Sequence, residues 1–337
     1  MFISSPTIDD ILHRVFEVLL RRGRNISPGK GPAVELIGVL IELRNPRARL
    51  SRTETRSLLF GCLGELLWYL AGSDSDKFIR YYLPEYPVTP NSKGRILSAY
   101  GPRLIDRVHD VNQINNAIQL LRNYPDSRRA VIQIFDAKDT GQHYPEVPCT
   151  CTLQFFLRRN RVHMLVNMRS NDAFVGLPAD IFAFTMIQEI IARSVGAEMG
   201  SYRHCVGSLH LYDRNRAKAE RYLAERWQST LGTAMPPMPF GDPWPNVQRV
   251  LAAERRIRNG SLISSPKTIT DAYWLDLIHL LRIYQRSEAG DHKAVTQLRK
   301  LMSTRVFDVY IDNRRRKALK VAASRSEPIQ RELFEPL

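Results

Sequence analysis

The sequence predicts an α+β fold, in which strands and helices follow one another along the chain. The run AVELIGVLIEL (Ala33–Leu43) is apolar and β-branched, which is typical of a buried strand. The segments TLQFFLRR and RVHMLVNMRS, joined by Arg159, Asn160 and Arg161, indicate a hairpin without the favoured Asn-Gly turn. The run SLLFGCLGELLWYLAG (Ser57–Gly72) is apolar nearly all round, which indicates a buried helix that stops at Gly72.

The other elements are predicted from periodicity and from capping and breaking residues. Asp180 precedes an apolar run and is predicted to cap a helix that continues to Val195 and stops at Gly196. The remaining predictions are a helix over Ile8–Leu20, loops over Tyr81–Gly101, a helix over Asp110–Asn123, strands over Ala130–Asp136 and Tyr202–Tyr212, and a helix over NRAKAERYLAERW.

A proline-dense stretch, MPPMPFGDPWP, divides the chain. We predict a catalytic core over residues 1–245 and a basic helical region over residues 246–337 that packs on it. The chain has 337 residues, 44% of them hydrophobic, which is enough for a substantial core. Its four cysteines are too scattered for a disulfide framework and lack the spacing of a zinc site, so we expect a reduced, cytoplasmic protein without a metal. We see no targeting segment and no run long enough to cross a membrane.

The formal net charge of +15 raises the question of nucleic-acid binding. The arginines are spread along the chain and no nucleic-acid motif is present, so we expect a phosphorylated small substrate instead. The basic segment DNRRRKALKVAASR is predicted to be a solvated helical face, with a phosphate or partner surface as the alternative.

Two cysteines stand two positions apart in VPCTCTLQFF, at the start of a predicted strand. Side chains two apart in a strand share a face, but neither cysteine has the second Cys or His pair of a metal clip. Downstream, MRSNDAFVGLPAD concentrates groups able to bind a phosphorylated polar ligand.

Six ordered motifs give a more specific indication: GELLWYLAGS, SAYGPR, PDSRR, a Pro-Cys five residues before Gln154, MRSNDAFVGLPAD and GSLHLY. In this order they resemble the thymidylate synthase family over roughly residues 30–215. The resemblance implies a mixed sheet flanked by helices, and a homodimer in which two subunits pack sheet against sheet.

The resemblance also implies roles for individual residues. Cys149 is expected to be the nucleophile that adds to C6 of a pyrimidine, because it has the family's place after a proline. Nearby arginines are expected to favour its thiolate, and Cys151, Cys62 and Cys205 are expected to be structural. Glu65 is expected to order water and relay protons, and Tyr100 to assist proton removal from C5.

The expected ligands are a pyrimidine nucleoside monophosphate and 5,10-methylene-tetrahydrofolate. The residues expected to bind the nucleotide are Arg169, Ser170, Gln154, His210, Tyr212, an N-terminal arginine for which Arg24 is the weak candidate, and Arg128 and Arg129 from the other subunit of the homodimer. The residues expected to contact the folate are Trp68, Asp172 and Gly176.

Asp180 departs from the family pattern, in which an asparagine closes the central motif. The asparagine amide accepts from N3–H and donates to O4 of uracil. Cytosine presents the reverse pattern, which a carboxyl that shares a proton with N3 and accepts from N4 would match. Asp180 is therefore expected both to read cytosine and to stabilise charge at N3 in the transition state.

Two further departures bear on the reaction. Thr150 follows the nucleophile where a histidine is common, and the segment LPEYPVTPNSKGRILSAYG lacks the tryptophans usually found before this tyrosine motif in the methylating enzymes. Both favour hydroxymethylation of a cytidine monophosphate at C5 over methylation, with the deoxyribonucleotide favoured by Ser170 and the ribonucleotide as the alternative. The other open alternatives are a cytidylate methylase, a thymidylate synthase that tolerates aspartate, and a non-catalytic member that binds nucleic acid or a partner through its basic tail.

Overall fold

The computed structural model describes residues 1–51, 58–106, 110–141, 146–227, 232–261 and 271–326. The predicted start of the second helix, at Ser57, and part of the predicted loop before Cys149 lie outside these residues. The strands are β1 (Phe2–Ser5), β2 (Arg24–Ile26), β3 (Ala33–Leu43), β4 (Ile105–Asp106), β5 (Val111–Asn112), β6 (Val131–Gln133), β7 (Thr150–Arg158), β8 (Arg161–Asp172) and β9 (Glu198–Tyr212). The helices are α1 (Ile8–Arg22), α2 (Leu59–Leu70), α3 (Asp76–Tyr82), α4 (Tyr100–Leu104), α5 (Gln113–Asn123), α6 (Lys138–Gly141), α7 (Gly176–Ser194), α8 (Asp213–Ala224), α9 (Trp244–Arg258), α10 (Ala272–Glu288), α11 (His292–Lys300) and α12 (Asp308–Ser326).

A mixed sheet forms the centre of the fold, as predicted. Its order is β1-β3-β9-β8-β7-β6, and β2 pairs with β3. The β1–β3 and β8–β9 pairs are parallel, and the other pairs are antiparallel. Because β8 and β9 run in the same direction, the chain must cross over between them, and it does so through α7.

The predicted hairpin joins β7 and β8 through a two-residue turn. Arg159 and Asn160 have φ values of 49° and 56°, so both adopt the left-handed conformation. A turn with two left-handed residues matches the twist of the flanking strands, which explains why this hairpin closes without Asn-Gly.

Helices α2 and α7 form an apolar layer. Helix α7 packs on β8 and β9, and α2 packs on α7. All residues of α2 are buried, and most of α7 is buried as well. Gly72 and Gly196 follow the two helices with φ values of 61° and 72°, so the predicted stops are confirmed.

Three predicted elements are shorter or start elsewhere. The strand predicted over 130–136 is only β6, because the N–H groups of Ile134 and Phe135 both donate to the Cys151 carbonyl and the chain leaves the ladder. The helix predicted from Asp110 begins at Gln113, where the Asn112 side chain accepts from Asn115 N. The loop predicted up to Gly101 instead ends in α4, which begins at Tyr100.

The chain divides into two compact units, Met1–Leu251 and Ala252–Leu337. In the second unit, α10, α11 and α12 pack on one another, and the Asp276 carboxylate accepts from Ser303 N at 2.9 Å and Ser303 Oγ at 2.6 Å. Arg315, Arg316 and Lys317 of the predicted basic face are exposed. Among the described residues, none of the helices combines the length and the apolarity that crossing a bilayer would require.

Candidate active site

Three neighbouring strands each have one end on the same side of the sheet. Strands β8 and β9 are parallel and both end there, and β7, which is antiparallel to β8, begins there. In register, Asp172 pairs with His210, and Arg169 N donates to the Cys149 carbonyl at 2.9 Å. Residues that are distant in sequence therefore come together around Cys149.

Arg169 holds the segment that carries Cys149. Its Nε donates to the Pro148 carbonyl at 2.9 Å and its Nη2 to the Val147 carbonyl at 3.0 Å. The same Nη2 lies 3.7 Å from Cys149 Sγ. The planar guanidinium thus fixes the main chain before β7 and places a cation beside the thiol.

Opposing effects act on the pKa of Cys149. Burial raises the pKa of the thiol above its ordinary value, and the cation of Arg169 lowers it, in the direction expected from the sequence, as does that of Lys30. The carboxyl groups of Asp180 and Glu146 raise it further. Desolvation is the largest of these effects, so the net shift in the free protein is upward.

Lys30 is a site residue that the sequence did not indicate. It lies between β2 and β3, its Nζ is 2.8 Å from Glu146 Oε1, and its charge acts on both Cys149 and Tyr212. The weak candidate Arg24 lies instead in β2, exposed and paired in register with Glu35. The only sequence signal for Lys30 is its position between two glycines in PGKGP.

Tyr100 is close to the nucleophile. Its hydroxyl accepts from Thr150 N at 3.2 Å and from Thr150 Oγ1 at 3.1 Å. Thr150 directly follows Cys149 in the chain. Its ring stacks on Tyr69 with centroids 5.0 Å apart. Burial, together with the charges of Asp180 and Cys149, raises the pKa of Tyr100 well above its ordinary value, so the free protein holds it as a neutral phenol.

Glu65 has the partners that a buried carboxyl in an apolar helix needs. Tyr69 Oη donates to its Oε1 at 2.9 Å, and Tyr86 Oη donates to the same oxygen at 3.3 Å. Burial raises the pKa of Glu65 despite these two bonds. The raised pKa favours the protonated form of Glu65 relative to an exposed carboxyl.

Asp180 does not cap its helix, so that part of the sequence prediction was wrong. Helix α7 begins at Gly176, Val175 is its N-cap without a side-chain bond, and Asp180 is the fifth residue. Pro178 lies in the first turn, where its missing N–H costs no hydrogen bond. Asp180 thus points from the second turn of the helix instead of closing its end.

The carboxyl of Asp180 favours its neutral form. Burial raises its pKa well above the ordinary value, and the charge of Glu65 raises it further, while a hydrogen bond from Asn171 lowers it. A neutral carboxyl presents one donor and one acceptor side by side, which is the pattern needed to read the N3–C4 edge of a pyrimidine.

Three polar side chains, those of Asn171, His204 and Tyr202, are connected to one another by hydrogen bonds. Asn171 Nδ2 is 3.0 Å from His204 Nε2, and His204 Nδ1 is 2.7 Å from Tyr202 Oη. All three residues are buried, and desolvation lowers the pKa of His204 to about 3, so its imidazole is neutral. Sequence reasoning missed this chain, because Asn171 and His204 are in contact only through the pairing of β8 with β9.

Four of the predicted ligand residues lie where β8 and β9 end. Asp172 Oδ1 accepts from Phe174 N at 2.7 Å and Val175 N at 3.1 Å, which shapes the turn into α7. His210 and Tyr212 share a face, with their rings edge to face at 4.9 Å. Ser170 pairs in register with Ser208 on β9.

Arg128 and Arg129 are not brought to Cys149 within this chain. Both are exposed just before β6, and Phe155 N donates to the Ala130 carbonyl. Arg129 is thus aligned with Phe156, seven residues along β7 from Cys149, or roughly 23 Å at ~3.3 Å per residue. Gln154 lies on the same strand, and its Nε2 donates to the Arg128 carbonyl at 2.9 Å.

The residues predicted to contact folate lie on α2 and at the turn that leads from β8 into α7. Trp68 is fully buried beside Tyr69 and Tyr86, and among the described residues its Nε1 has no hydrogen-bond partner. Gly176, the first residue of α7, lies against Asn171. An unpaired buried donor beside an aromatic cluster fits a planar ligand that carries hydrogen-bond acceptors.

The other cysteines have no part in this cluster. Cys62, Cys151 and Cys205 form no disulfide among the described residues, and the Cys151 carbonyl accepts from the N–H groups of Ile134 and Phe135. In the part of the chain that the structure describes, no group of three or more His, Cys, Asp or Glu side chains could hold a metal ion.

Comparison with known proteins agrees with this fold. Residues 41–235, more than half of the chain, match the thymidylate synthase family. The protein belongs to that family, whose members modify C5 of a pyrimidine nucleotide with methylene-tetrahydrofolate.

One relative carries a more specific name. A deoxyuridylate hydroxymethyltransferase of Delftia phage PhiW-14 is 29% identical over 196 residues. The match covers 54% of this chain and 54% of the relative, so it spans about half the length of that protein.

Proposed function

We propose that this protein transfers a one-carbon unit to C5 of a cytidine monophosphate and hydrates it to a hydroxymethyl group. Deoxycytidylate is the favoured substrate because Ser170 is retained, with cytidylate as the alternative. The observation that carries the proposal is Asp180, a buried carboxyl whose raised pKa favours the neutral acid at the position where the family pattern has an asparagine.

The neutral acid of Asp180 matches cytosine. Its O–H can donate to N3 while its second oxygen accepts from the N4 amino group. As a nucleophile adds to C6, negative charge builds at N3, and a proton already held there stabilises that charge. Burial raises the pKa of Asp180, which favours the protonated acid that can supply this proton.

Cys149 is the nucleophile of the proposed reaction. Its Sγ forms a bond to C6 as the thiol proton passes to a water molecule in the site, and this addition makes C5 nucleophilic. Arg169, 3.7 Å away, stabilises the negative charge that develops on sulfur as the proton leaves. Since burial raises the pKa of the thiol, we expect deprotonation to accompany nucleotide binding instead of preceding it.

Tyr100 and Glu65 are proposed to assist proton transfer at the pyrimidine ring. The Tyr100 hydroxyl is held by Thr150, next to Cys149 in the chain, and can accept the C5 proton as it passes its own proton to a water molecule in the site. Glu65 can then order the water that adds to the exocyclic carbon. Elimination of Cys149 from C6 restores the aromatic ring and frees the thiol.

Methylene-tetrahydrofolate, when bound, supplies the one-carbon unit. The unpaired Nε1 of buried Trp68 and the free oxygen of Asp172 are proposed to hold it, with Gly176 giving room at the start of α7. Hydration needs no hydride transfer, so the protein has only to admit water to the exocyclic carbon.

A homodimer is proposed to complete the phosphate site. Arg128 and Arg129 are exposed and lie roughly 23 Å along the strand from Cys149 at ~3.3 Å per residue, so they would serve the site of a second subunit. Within the subunit, Arg169, Ser170 and Lys30 remain to meet the phosphate.

A second candidate is hydroxymethylation of deoxyuridylate. It is favoured by the name of the phage relative, and a neutral carboxyl could also read uracil by accepting from N3–H and donating to O4. The two candidates differ in which oxygen of Asp180 carries the proton.

Asp180→Asn tests the assignment of the base. An amide accepts from N3–H and donates to O4, so the variant should lose about tenfold or more in kcat/KM for deoxycytidylate and gain activity on deoxyuridylate. The measurement is tritium release from C5-labelled nucleotides, with the product identified by mass. Cys151→Ser, which alters the neighbouring thiol, is the matched control and should leave both activities unchanged. An unaltered base preference in Asp180→Asn would show that another group reads the base.

A further inference from the structure

The loop that carries Lys30 is fastened beside the end of β9. Arg214 Nη1 donates to the Lys30 carbonyl at 2.8 Å, and Asp213 N donates to the Pro32 carbonyl at 3.0 Å. Asp213 and Arg214 directly follow β9 in the chain. The main chain around Lys30 is therefore held at the side of the sheet where Cys149 lies.

The side chain of Lys30 reaches the segment that precedes the nucleophile. Its Nζ lies 2.8 Å from Glu146 Oε1, and Glu146 stands three residues before Cys149. Arg169 Nη2 donates to the carbonyl of Val147, the next residue, at 3.0 Å. Consecutive Cα atoms are about 3.8 Å apart, so two cations contact this segment at neighbouring residues.

This pairing occupies a cation that a nucleotide phosphate would need. A phosphate monoester carries a charge of about −1.5 to −2 at pH 7 and three strong acceptor oxygens. Arg169 is exposed, but a phosphate bound to it would lie near the like charge of the Glu146 carboxylate. In the free protein, Glu146 therefore competes with phosphate for Lys30.

The Lys30–Glu146 ion pair has the properties of an exchangeable contact. The two side chains are 48% and 23% exposed. An ion pair open to solvent contributes little to stability, because water screens it and two long side chains must be ordered. A phosphate offers the ammonium more charge and more acceptors than a carboxylate does. The flexible stem of lysine lets the ammonium move while the main chain stays fastened.

We propose that Glu146 holds Lys30 in the free protein and that the phosphate of the bound nucleotide displaces it, so that substrate binding breaks the Lys30–Glu146 ion pair. This inference rests on the proposed function in that a nucleoside monophosphate binds beside Cys149. It goes beyond that function by making Glu146, which was not predicted from the sequence, a positioning residue that favours phosphorylated substrates. A nucleoside without phosphate leaves the ion pair intact.

A double-mutant cycle tests the exchange. Glu146→Gln removes the competing charge, Lys30→Gln removes the ammonium, and the double variant removes both. Calorimetry gives the dissociation constants of deoxycytidylate and of deoxycytidine for these proteins and the wild type. The pH is kept above the second pKa of the phosphate, about 6, so that the dianion predominates.

The effect of Glu146→Gln should depend on Lys30. With Lys30 present, the variant should bind deoxycytidylate about two- to fivefold more tightly, because no ion pair has to be broken. In the Lys30→Gln background the gain should be smaller. Repulsion between Glu146 and the phosphate would by itself give at least as large a gain there, since the ammonium no longer screens the carboxylate. A gain that is equal or larger without Lys30, or no gain at all, would overturn the proposal.

Two controls accompany the cycle. Glu220→Gln removes the same charge from a surface ion pair on α8, where Glu220 Oε1 lies 3.4 Å from Arg216 Nε, and it should leave the affinity for deoxycytidylate unchanged. Deoxycytidine lacks the phosphate, so its affinity should be the same for all the proteins. A tighter complex of Glu146→Gln with deoxycytidine would show that Glu146 acts on the base or sugar, which contradicts the exchange.

Binding measurements also separate this inference from the proposed function. The cycle is repeated with deoxyuridylate. If only deoxyuridylate bound, the proposed base would be wrong and the cycle would be evaluated with that nucleotide. Absence of a hydroxymethylated product together with the expected cycle would reject the proposed function alone. If the wild-type protein bound both nucleotides no more tightly than their nucleosides, the exchange would be rejected whatever the product.

Discussion

Cys149 is subject to opposing influences that a residue type alone does not reveal. Burial raises the pKa of its thiol, Arg169 and Lys30 lower it, and Asp180 and Glu146 raise it. Arg169 also holds the main chain before β7, so substituting it would move the nucleophile. Lys30, which is half-exposed and whose Nζ pairs with Glu146, allows a cleaner test of the electrostatic influence.

Lys30→Ala should raise the pKa of the Cys149 thiol. A nearby cation favours the thiolate, so its loss moves the rising limb of kcat/KM with pH to higher pH and lowers kcat/KM at neutral pH by about two- to fivefold. Lys30→Arg keeps the charge and serves as the control. The rate of Cys149 alkylation as a function of pH, measured without nucleotide and corrected with Cys149→Ser, separates this effect from phosphate binding. Identical alkylation profiles for Lys30→Ala and wild type would contradict it.

Some residues of the site could be predicted from the sequence, and others could not. Cys149, Tyr100 and Glu65 could be predicted because their motifs have a fixed order and each residue type suits its chemistry. Lys30 could not, because a lysine in a loop has no distinguishing pattern until the loop is placed over the strand ends. Asn171, His204 and Tyr202 depend on the register of β8 and β9, which a sequence does not specify at single-residue precision.

At the scale of elements, α7 is the part of the fold that most affects the chemistry. It begins at Gly176, four residues before Asp180, although the Gly-Leu-Pro sequence resembles a turn. A proline in the first helical turn is tolerated, and the turn formed by Asp172 leads directly into the helix. The helix therefore presents Asp180 on its inner side and its N-terminus to Asn171.

Gly176→Ala should disturb this arrangement. The added Cβ would lie 2.5 Å from Asn171 Oδ1, so the amide must move away from the helix end. We expect a loss of about 1–3 kcal/mol in the free energy of unfolding, together with reduced base discrimination. Urea unfolding and the ratio of kcat/KM for deoxycytidylate to that for deoxyuridylate measure the two effects.

Gly141→Ala is the control for this substitution, because a Cβ there would have no atom within 4 Å. If Gly176→Ala matched the wild type in both stability and base discrimination, the close packing of Asn171 on α7 would have no functional importance.

At the scale of the whole molecule, the arginines of the PDSRR motif are proposed to serve the site of a second subunit. The sheet brings Cys149 and Arg169 together within one chain, but Arg128 and Arg129 lie at the other end of β7. A site that needs residues from two chains can be tested by mixing inactive variants.

Cys149→Ser and Arg129→Ala should each be inactive or nearly so as separate homodimers. When they are mixed, unfolded and refolded together, half of the dimers combine the two chains, and one of their two sites is intact. The recovered activity should therefore approach about a quarter of the wild-type value. Recovery no greater than the sum of the separate variants would contradict the shared site.

The fold class could be predicted from the alternation of apolar runs, and the mixed sheet from the resemblance to the family. The strand predicted over 130–136 was too long, because the bonds from Ile134 and Phe135 to a single carbonyl depend on where β7 lies. The division at the proline-dense stretch stays a prediction about folding units, as does the role of the basic helical region.

The central claim is the identity of the product. The most direct measurement incubates the wild-type protein with methylene-tetrahydrofolate and deoxycytidylate, cytidylate or deoxyuridylate labelled at C5, follows tritium release, and determines the product by mass. We expect release with a cytidine monophosphate, deoxycytidylate foremost, and a product heavier by a hydroxymethyl group. A hydroxymethylated product from deoxyuridylate alone, thymidylate, or no release from any of the three nucleotides would contradict the account.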